Sequence, residues 1–210
     1  MKATMFVDVV SHWCLAAMPA ARALVDLGVK FELVYAPLKD GEPLGFKYEM
    51  EEWFYQRGRI AHTLQLTADW CEGPDIGSWA ANAAAFVAGE ITGKQLDAAH
   101  ALMAAAMEQA VLVGRPPEAY AQAASFAGVP VDEIERRVSE PRVRDILLDG
   151  NKRLAAIGAD ERPTWYLQND NGDFATLKGI WHKEAVTSVA TALLHDERAY
   201  AEAGAPPAFA

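Results

Sequence analysis

The fold of this chain is decided by the stretch Val7-Asp8-Val9-Val10-Ser11-His12-Trp13-Cys14-Leu15-Ala16. A β-branched apolar run stops at Ser11, and an alanine-rich helical pattern starts directly after it. This order predicts a strand that turns into a helix, with Ser11 as the N-cap residue. Because free backbone N–H groups and the positive end of the helix dipole meet at such a turn, we expect it to suit a thiolate or another anion.

The residues around this turn predict a βαβ unit. A buried strand is expected from Met5 to Val10, a helix from about Trp13 to Leu27, and a second strand from Lys30 to Ala36. Pro19 lies inside the predicted helix, where it removes one backbone hydrogen bond or kinks the helix. Two strands joined by one helix over so short a span predict a parallel pair with a right-handed crossover.

The middle of the chain, from residue 46 to residue 156, carries helical signals and almost no strand signals. The predicted helices are Tyr48–Gln65, Ser78–Ala88, Gly93–Val113, Pro116–Ala127, Val131–Ser139 and Pro141–Ala156. Alanine-rich sequence in this block has a high intrinsic helix propensity. Asn82 and the alanines beside it are interpreted as ordinary helix packing.

Strand signals return near the end of the chain. Thr164–Gln168 and Phe174–Leu177 predict two strands joined by a tight hairpin turn, and a last helix is expected from about His182 to His195. The whole order predicts an α/β protein with a thioredoxin-like fold and a large all-helical domain inserted between its βαβ and ββα halves. The predicted bounds are 1–45 for the first half, 46–156 for the insertion, 157–199 for the second half and 200–210 for a C-terminal tail.

Charge and hydropathy exclude several classes of partner. The formal net charge is −10, and an acidic surface argues against nucleic acid, whose phosphates need a basic face. No apolar run has the length of a membrane span, so no membrane partner is expected. The residues after Met1 lack the apolar segment of a signal peptide, which makes the cytoplasm the expected location.

Cysteine and histidine usage predicts neither a disulfide scaffold nor a metal site. The chain has two cysteines, Cys14 and Cys71, which are too few for a disulfide framework. Its five histidines form no His-x-x-x-His pair. The chemistry is therefore expected at the Ser11 turn and without a metal.

Three motifs carry a resemblance to a known superfamily. The segment from Asp8 to Cys14 resembles the active-site start of DsbA-like thioredoxin-fold proteins, and in particular of kappa-class glutathione transferases and 2-hydroxychromene-2-carboxylate isomerases. The segment Arg162-Pro163-Thr164-Trp165 stands where the family has Val-Pro-Thr-Phe, with a cis proline that faces the active-site turn. Lys178-Gly179 resembles the end of the family hairpin. The resemblance spans nearly the whole chain.

The resemblance implies a function that depends on Ser11. Ser11 stands where a redox Cys-x-x-Cys motif has its nucleophilic cysteine, and a serine cannot form a mixed disulfide. In the transferase and isomerase branch, such a serine donates a hydrogen bond to the thiolate of glutathione. The family therefore implies a glutathione-dependent transferase or isomerase that acts on an electrophilic small molecule, an aromatic or unsaturated carbonyl compound. Dimers are common in this branch, so a homodimer is expected.

The predicted site residues fall into two groups. The catalytic candidates are Ser11, His12 and Cys14, with His12 as a general acid or base. The candidates for binding glutathione are Trp13, Arg162, Pro163, Thr164, His182 and Lys183. In the family, the backbone before the cis proline pairs with the cysteinyl part of glutathione, and the Arg162 side chain could attract a carboxylate. His182 and Lys183 replace the polar pair that usually holds the γ-glutamyl end.

Alternatives remain open at this point. The chain could be a thiol-redox protein that uses Cys14 alone, which requires a reactive thiol with a depressed pKa. It could also be a non-catalytic relative with an occluded cleft. An aromatic cluster on the first helix of the insertion, mostly expected in the core, could instead form a wall over the cleft, with an arginine for an acidic substrate. This cluster consists of Tyr48, Trp53, Phe54, Tyr55, Arg57 and Arg59.

Overall fold

The computed structural model describes residues 1–45, 48–62, 66–71 and 76–204 of the chain. Within these residues, the strands are β1 (Lys2–Val7), β2 (Lys30–Tyr35), β3 (Thr164–Gln168) and β4 (Phe174–Lys178). The α-helices are α1 (His12–Asp26), α2 (Tyr48–His62), α3 (Trp79–Thr92), α4 (Gln95–Gln109), α5 (Pro116–Ala127), α6 (Val131–Val138), α7 (Pro141–Ala156) and α8 (Lys183–Ala203).

The strands form one mixed sheet in the order β2-β1-β3-β4. β1 pairs in parallel with β2 and antiparallel with β3, and β4 completes the hairpin. Helices α2 to α7 lie between β2 and β3 along the chain. The predicted α/β architecture, with a helical block between a βαβ and a ββα half, is therefore confirmed.

Each face of the sheet packs against different helices. Ala3, Met5 and Val7 of β1 belong to the main core, together with buried residues of α1 and α8. Phe6 points to the opposite face, because side chains alternate along a strand, and there it packs in a smaller cluster with Val34 and Leu154 of α7. The sheet therefore separates α1 and α8 from α7.

Helix α7 lies within the predicted insertion but packs directly on the sheet. Its residue Gly150 approaches β2 so closely that a Cβ atom there would lie 2.0 Å from the Tyr35 carbonyl oxygen. Only a residue without a side chain fits this contact. The glycine thus places the C-terminal half of α7 over the end of β2.

Several predicted boundaries differ from the observed ones. The strand expected from Met5 to Val10 ends at Val7, because the next residues turn around the side chain of Asp8. The last helix continues past His195 to Ala203. The predicted end of α2, Gln65, lies outside the described residues.

The described residues contain neither a membrane span nor a metal cluster. In those ranges, no helix combines the length and the hydropathy needed to cross a membrane. The same ranges hold no group of histidine, cysteine and carboxylate side chains that could bind a metal ion. Cys14 and Cys71 are both buried, and no disulfide joins them.

Candidate active site at the Ser11 turn

The turn before α1 is organised by the buried carboxylate of Asp8. One oxygen of this carboxylate accepts a hydrogen bond from the Val10 amide at 2.8 Å, and the other accepts one from the Leu38 amide at 2.6 Å. Burial raises the pKa of Asp8, whereas these two amide hydrogen bonds lower it. Asp8 therefore holds the Ser11 turn and the segment after β2 against each other.

Asn82 of α3 supports the same turn from the helical domain. Its side-chain oxygen accepts a hydrogen bond from the Val9 amide at 3.1 Å, and its amide group donates to the Ser78 carbonyl at 2.8 Å. Asn82 is fully buried, so both groups need these partners. The interpretation of Asn82 as ordinary helix packing was wrong, because this side chain ties the turn to α3.

Ser11 occupies the N-cap position of α1, but its hydroxyl does not cap the helix. The hydroxyl instead lies 3.4 Å from the carbonyl oxygen of Arg162, to which it donates a long hydrogen bond. The peptide bond between Arg162 and Pro163 is cis, as the resemblance implies. Ser11 thus faces the cis-proline segment across the site, from the N-terminal end of α1.

A pocket of about 340 Å³ opens beside the Ser11 hydroxyl. Its walls include two indole rings, Trp13 and Trp181, whose centroids lie 5.9 Å apart. The residues that line it are Ser11, Trp13, Leu38, Asp160, Glu161, Arg162, Gly179 and Trp181. Aromatic walls, a hydroxyl and exposed carboxylates make this pocket suitable for a small ligand that is partly apolar and partly charged.

The guanidinium of Arg162 is held by the protein itself. It donates to the carbonyl oxygens of Ala36 at 2.7 Å and Asp160 at 2.6 Å, and to the side chain of Asn151 at 2.6 Å. Asn151 also donates to the Pro37 carbonyl at 2.8 Å, so α7 is joined to the same network. Arg162 fastens the cis-proline segment to β2 and α7. Its predicted attraction for a ligand carboxylate stays a prediction.

The other two catalytic candidates are buried. His12 is 6% exposed, and its ring packs against that of Trp13 with centroids 4.5 Å apart. Cys14 is fully buried, and this burial raises the pKa of its thiol to about 12. A thiol with such a pKa contains almost no thiolate near neutral pH. This property opposes the alternative in which Cys14 acts as a redox nucleophile.

The burial of Cys14 predicts how stability depends on pH. The folded-state pKa of about 12 exceeds the ordinary value of 9.0, so the unfolded chain releases this proton first. We therefore expect the free energy of unfolding to fall as the pH rises from 9 towards 12. When urea unfolding is measured over this pH range, the free energy of unfolding should fall less steeply for Cys14→Ala than for the natural chain. Parallel curves for the two proteins would contradict the expected titration.

The remaining predicted binding residues lie at different distances from the pocket. Pro163 and Thr164 are buried, and the Thr164 hydroxyl donates to the Glu161 carbonyl at 2.8 Å. His182 and Lys183 are exposed and line a second pocket of about 270 Å³. The two pockets meet at Trp181, on which the His182 ring stacks with centroids 3.9 Å apart. The structure therefore brings Ser11, Trp13 and Arg162 together, and places His182 and Lys183 beyond Trp181.

The described side chains of the aromatic cluster on α2 contribute neither to the core nor to the Ser11 pocket. Trp53 and Phe54 are exposed, and they line a separate surface depression with Met50. The side chains of Tyr55, Arg57 and Arg59 lie outside the part of the chain that the structure describes.

Sequence reasoning missed several residues of the site. Leu38, Asp160 and Glu161 line the pocket, and Asp8 and Asn82 support its turn. The sequence did contain a signal for Asn82, because it is a polar residue within the alanine run of α3. A buried amide side chain needs hydrogen-bond partners. No comparable local signal marks Leu38, since its place in the pocket depends on a hydrogen bond to Asp8.

Comparison with solved structures identifies the fold. The cytosolic disulfide reductase DsbM from Pseudomonas aeruginosa is similar with a TM-score of 0.75 and 16% sequence identity, over 93% of this chain and 99% of that chain. The same reductase solved with GSH gives a TM-score of 0.76 and 14% identity, over 93% and 100% of the two chains. A 2-hydroxychromene-2-carboxylate isomerase gives a TM-score of 0.68 and 12% identity, over 98% and 100%.

These similarities show that the chain has a DsbA-like thioredoxin fold. The fold expected from the motifs around Ser11 and Pro163 is thereby confirmed. No protein-family model and no curated protein matches the sequence.

Proposed function

We propose that this protein is a glutathione-dependent transferase or isomerase in which Ser11 stabilises the glutathione thiolate. One observation carries the proposal. The Ser11 hydroxyl opens onto a pocket beside the cis Arg162–Pro163 peptide, whereas the neighbouring Cys14 thiol is fully buried. A site with this turn but without a usable thiol of its own can still act on a thiol that a ligand brings.

The turn provides two stabilising interactions for a thiolate. The Ser11 hydroxyl can donate a charge-assisted hydrogen bond to the sulfur, in place of its long contact with the Arg162 carbonyl. The start of α1 adds the positive end of the helix dipole. Together they are expected to lower the thiol pKa by one to two units, or about 1.4–2.7 kcal/mol.

The pocket offers groups that suit the rest of glutathione. The exposed carboxylates of Asp160 and Glu161 can bind the ammonium group, and the backbone of Arg162 can pair with the cysteinyl residue. His182 and Lys183, beyond Trp181, remain our candidates for the γ-glutamyl carboxylate. The structure of DsbM with GSH supports the proposal, because the same fold binds this ligand there.

The proposed chemistry is addition of the thiolate to an electrophilic carbon. The sulfur forms a bond to a carbon conjugated with a carbonyl, and the displaced π electrons move to the carbonyl oxygen as an enolate. In a transferase, a proton from solvent then completes the adduct. In an isomerase, the former double bond rotates, the π bond re-forms and the thiolate leaves. Trp13 and Trp181 would stack on an aromatic substrate.

Two further expectations belong to this proposal. Glutathione remains a thiol in a reducing compartment, so the proposed function places the protein in the cytoplasm. The homodimer expected from the resemblance stays a prediction. The pocket beside Ser11 is open, which differs from the occluded cleft expected of a non-catalytic relative.

Replacing Ser11 with alanine tests the proposed role directly. In the natural protein, we expect the pKa of bound glutathione, followed by thiolate absorbance, to fall by one to two units. Ser11→Ala should remove most of this shift and slow the reaction with 1-chloro-2,4-dinitrobenzene or an enone by about 10- to 100-fold. Its stability should change little, because the hydroxyl does not cap α1.

A matched serine provides the control. Ser139→Ala removes an exposed hydroxyl at the C-terminal end of α6, which does not line the Ser11 pocket, and should leave both measurements unchanged. The proposal fails if glutathione does not raise the thermal midpoint of the natural protein. It also fails if bound glutathione has the same thiol pKa in the natural protein and in Ser11→Ala.

A further inference from the structure

The strand β2 forms one edge of the sheet and presents unused backbone groups. The Lys30 and Ala36 amides donate to Met1 and Val7 of the β1 side at 3.3 and 2.8 Å. Because alternate residues of a strand face alternate neighbours, the backbone groups of Phe31, Leu33 and Tyr35 point away from β1, and of these the Tyr35 carbonyl lies against Gly150 of α7. Within the ranges that the structure describes, no strand pairs with this side of β2.

A groove of about 650 Å³ runs along this edge. Residues 32–35 of β2 form its floor, α7 forms one wall and Phe86 of α3 forms part of the other. Leu33, Phe86, Ile146 and Leu148 make much of the lining apolar, and Ile146 is 40% exposed. An extended peptide in this groove would meet both free backbone groups and apolar surface, the two requirements for strand addition.

The charges of the groove favour a positively charged occupant. Glu32 forms ion pairs with Arg153 and with Lys2, both at 2.7 Å, and these cations lower the pKa of Glu32 to about 2. Asp145 and Asp149, one turn apart on α7, form no ion pair with any described residue. The side chains that line the groove thus include three carboxylates and two cations, Lys152 and Arg153, and the whole chain has a net charge of −10.

We propose that the edge of β2 binds an extended, lysine- or arginine-rich segment of another protein as a fifth strand. The segment spans about four residues, or about 13 Å, beside residues 31–34 of β2. Its backbone pairs with Phe31 and Leu33, its apolar side chains contact Leu33 and Ile146, and its cations face Asp145 and Asp149. A second copy of this chain is a poorer occupant, because a twofold pairing of β2 would bring two sets of these aspartates together.

The test uses a fluorescently labelled Lys-Val-Lys-Val-Lys-Val peptide and a version with methyl groups on alternate backbone nitrogens. In the free protein, the Phe31 and Leu33 amides should exchange rapidly with deuterium, while those of Glu32 and Val34 are protected. Adding the unmodified peptide should protect Phe31 and Leu33. The methylated peptide has the same charge but cannot form the strand, so it should bind at least about tenfold more weakly.

Charge-reversal variants distinguish peptide binding in the groove from a general attraction of a basic peptide to an acidic protein. Asp145→Lys with Asp149→Lys should weaken peptide binding about tenfold, whereas Glu49→Lys with Glu202→Lys, two exposed acids elsewhere, should not. Equal binding by both peptides, or equal binding by both double variants, would overturn the proposal. So would protection of the Phe31 and Leu33 amides before any peptide is added, or the absence of peptide binding to the natural protein.

Discussion

Replacing Ser11 with cysteine is expected to give this protein a thiol-disulfide exchange activity through positions 11 and 14. The introduced thiol would occupy the N-cap position of α1, where the helix dipole favours a thiolate. It would also lie three residues before Cys14, and side chains at this spacing are neighbours on one face of a helix. Oxidised glutathione should then convert the two thiols into a disulfide and be reduced to two molecules of glutathione.

The thiol introduced at position 11 is expected to be far more reactive than the buried thiol of Cys14. Burial raises the pKa of Cys14 from 9.0 to about 12, so its thiolate fraction at neutral pH falls about a thousandfold. In Ser11→Cys, alkylation by iodoacetamide should therefore be about a thousandfold faster than alkylation of Cys14 in the natural protein. Mass spectrometry should locate the label at position 11 and, after oxidation, a disulfide to Cys14.

An exposed serine again supplies the comparison. Ser139→Cys places a thiol on the surface of α6, where it should be alkylated at an ordinary rate but form no disulfide with Cys14. If the thiol introduced at position 11 is as unreactive as Cys14, then the turn does not stabilise a thiolate. In that case the proposed role of Ser11 towards glutathione loses its physical basis.

Gly150→Ala is expected to cause the largest loss of stability of any glycine-to-alanine change among the described residues. Helix propensity alone predicts a gain of up to about 1 kcal/mol for this change. The added Cβ, however, would lie 2.0 Å from the Tyr35 carbonyl oxygen and 3.0 Å from its carbonyl carbon. Backbone atoms cannot rotate away, so α7 must move from β2, and we expect a net loss of about 3 kcal/mol.

The consequences of this change reach the candidate site. Asn151, the next residue of α7, binds the Pro37 carbonyl and the Arg162 guanidinium. Moving α7 stretches these hydrogen bonds and loosens the cis-proline segment that faces Ser11. Glutathione binding, measured by calorimetry below the melting temperature, should therefore weaken in Gly150→Ala as well.

Thermal and urea unfolding provide the measurement. Gly150→Ala should melt about 10 °C below the natural protein. Lys152→Ala changes an exposed residue on the same helix and should stay within about 0.5 kcal/mol of the natural protein. A Gly150→Ala protein that is as stable as the natural one, or more stable, would show that α7 does not pack on β2 as described.

Local signals were sufficient for much of the fold. Pro116 and Pro141 predicted the starts of α5 and α7, because proline is favoured in the first turn of a helix, and both helices begin there. The turn around Gly172 predicted the β3–β4 hairpin, which forms as expected. Each of these signals depends on the conformational preferences of a few consecutive residues.

The errors arose where distant residues compete with a local preference. Val9 and Val10 favour a strand by residue type, yet they form a turn because Asp8 and Asn82 bind their amides. Asn82 lies 73 positions from Val9 along the chain. A pattern within a short window contains no information about such a contact.

The sequence by itself determined the order of the strands and helices and the chemical nature of position 11. A serine there excludes dithiol exchange wherever the rest of the chain folds, because a hydroxyl cannot form a disulfide. Only the tertiary structure decided that Cys14 is buried, that Arg162 binds backbone carbonyls and that the Ser11 hydroxyl faces the cis-proline segment. Solvation and hydrogen bonding depend on which atoms meet in space, and the residues that meet at this site come from positions 8 to 181.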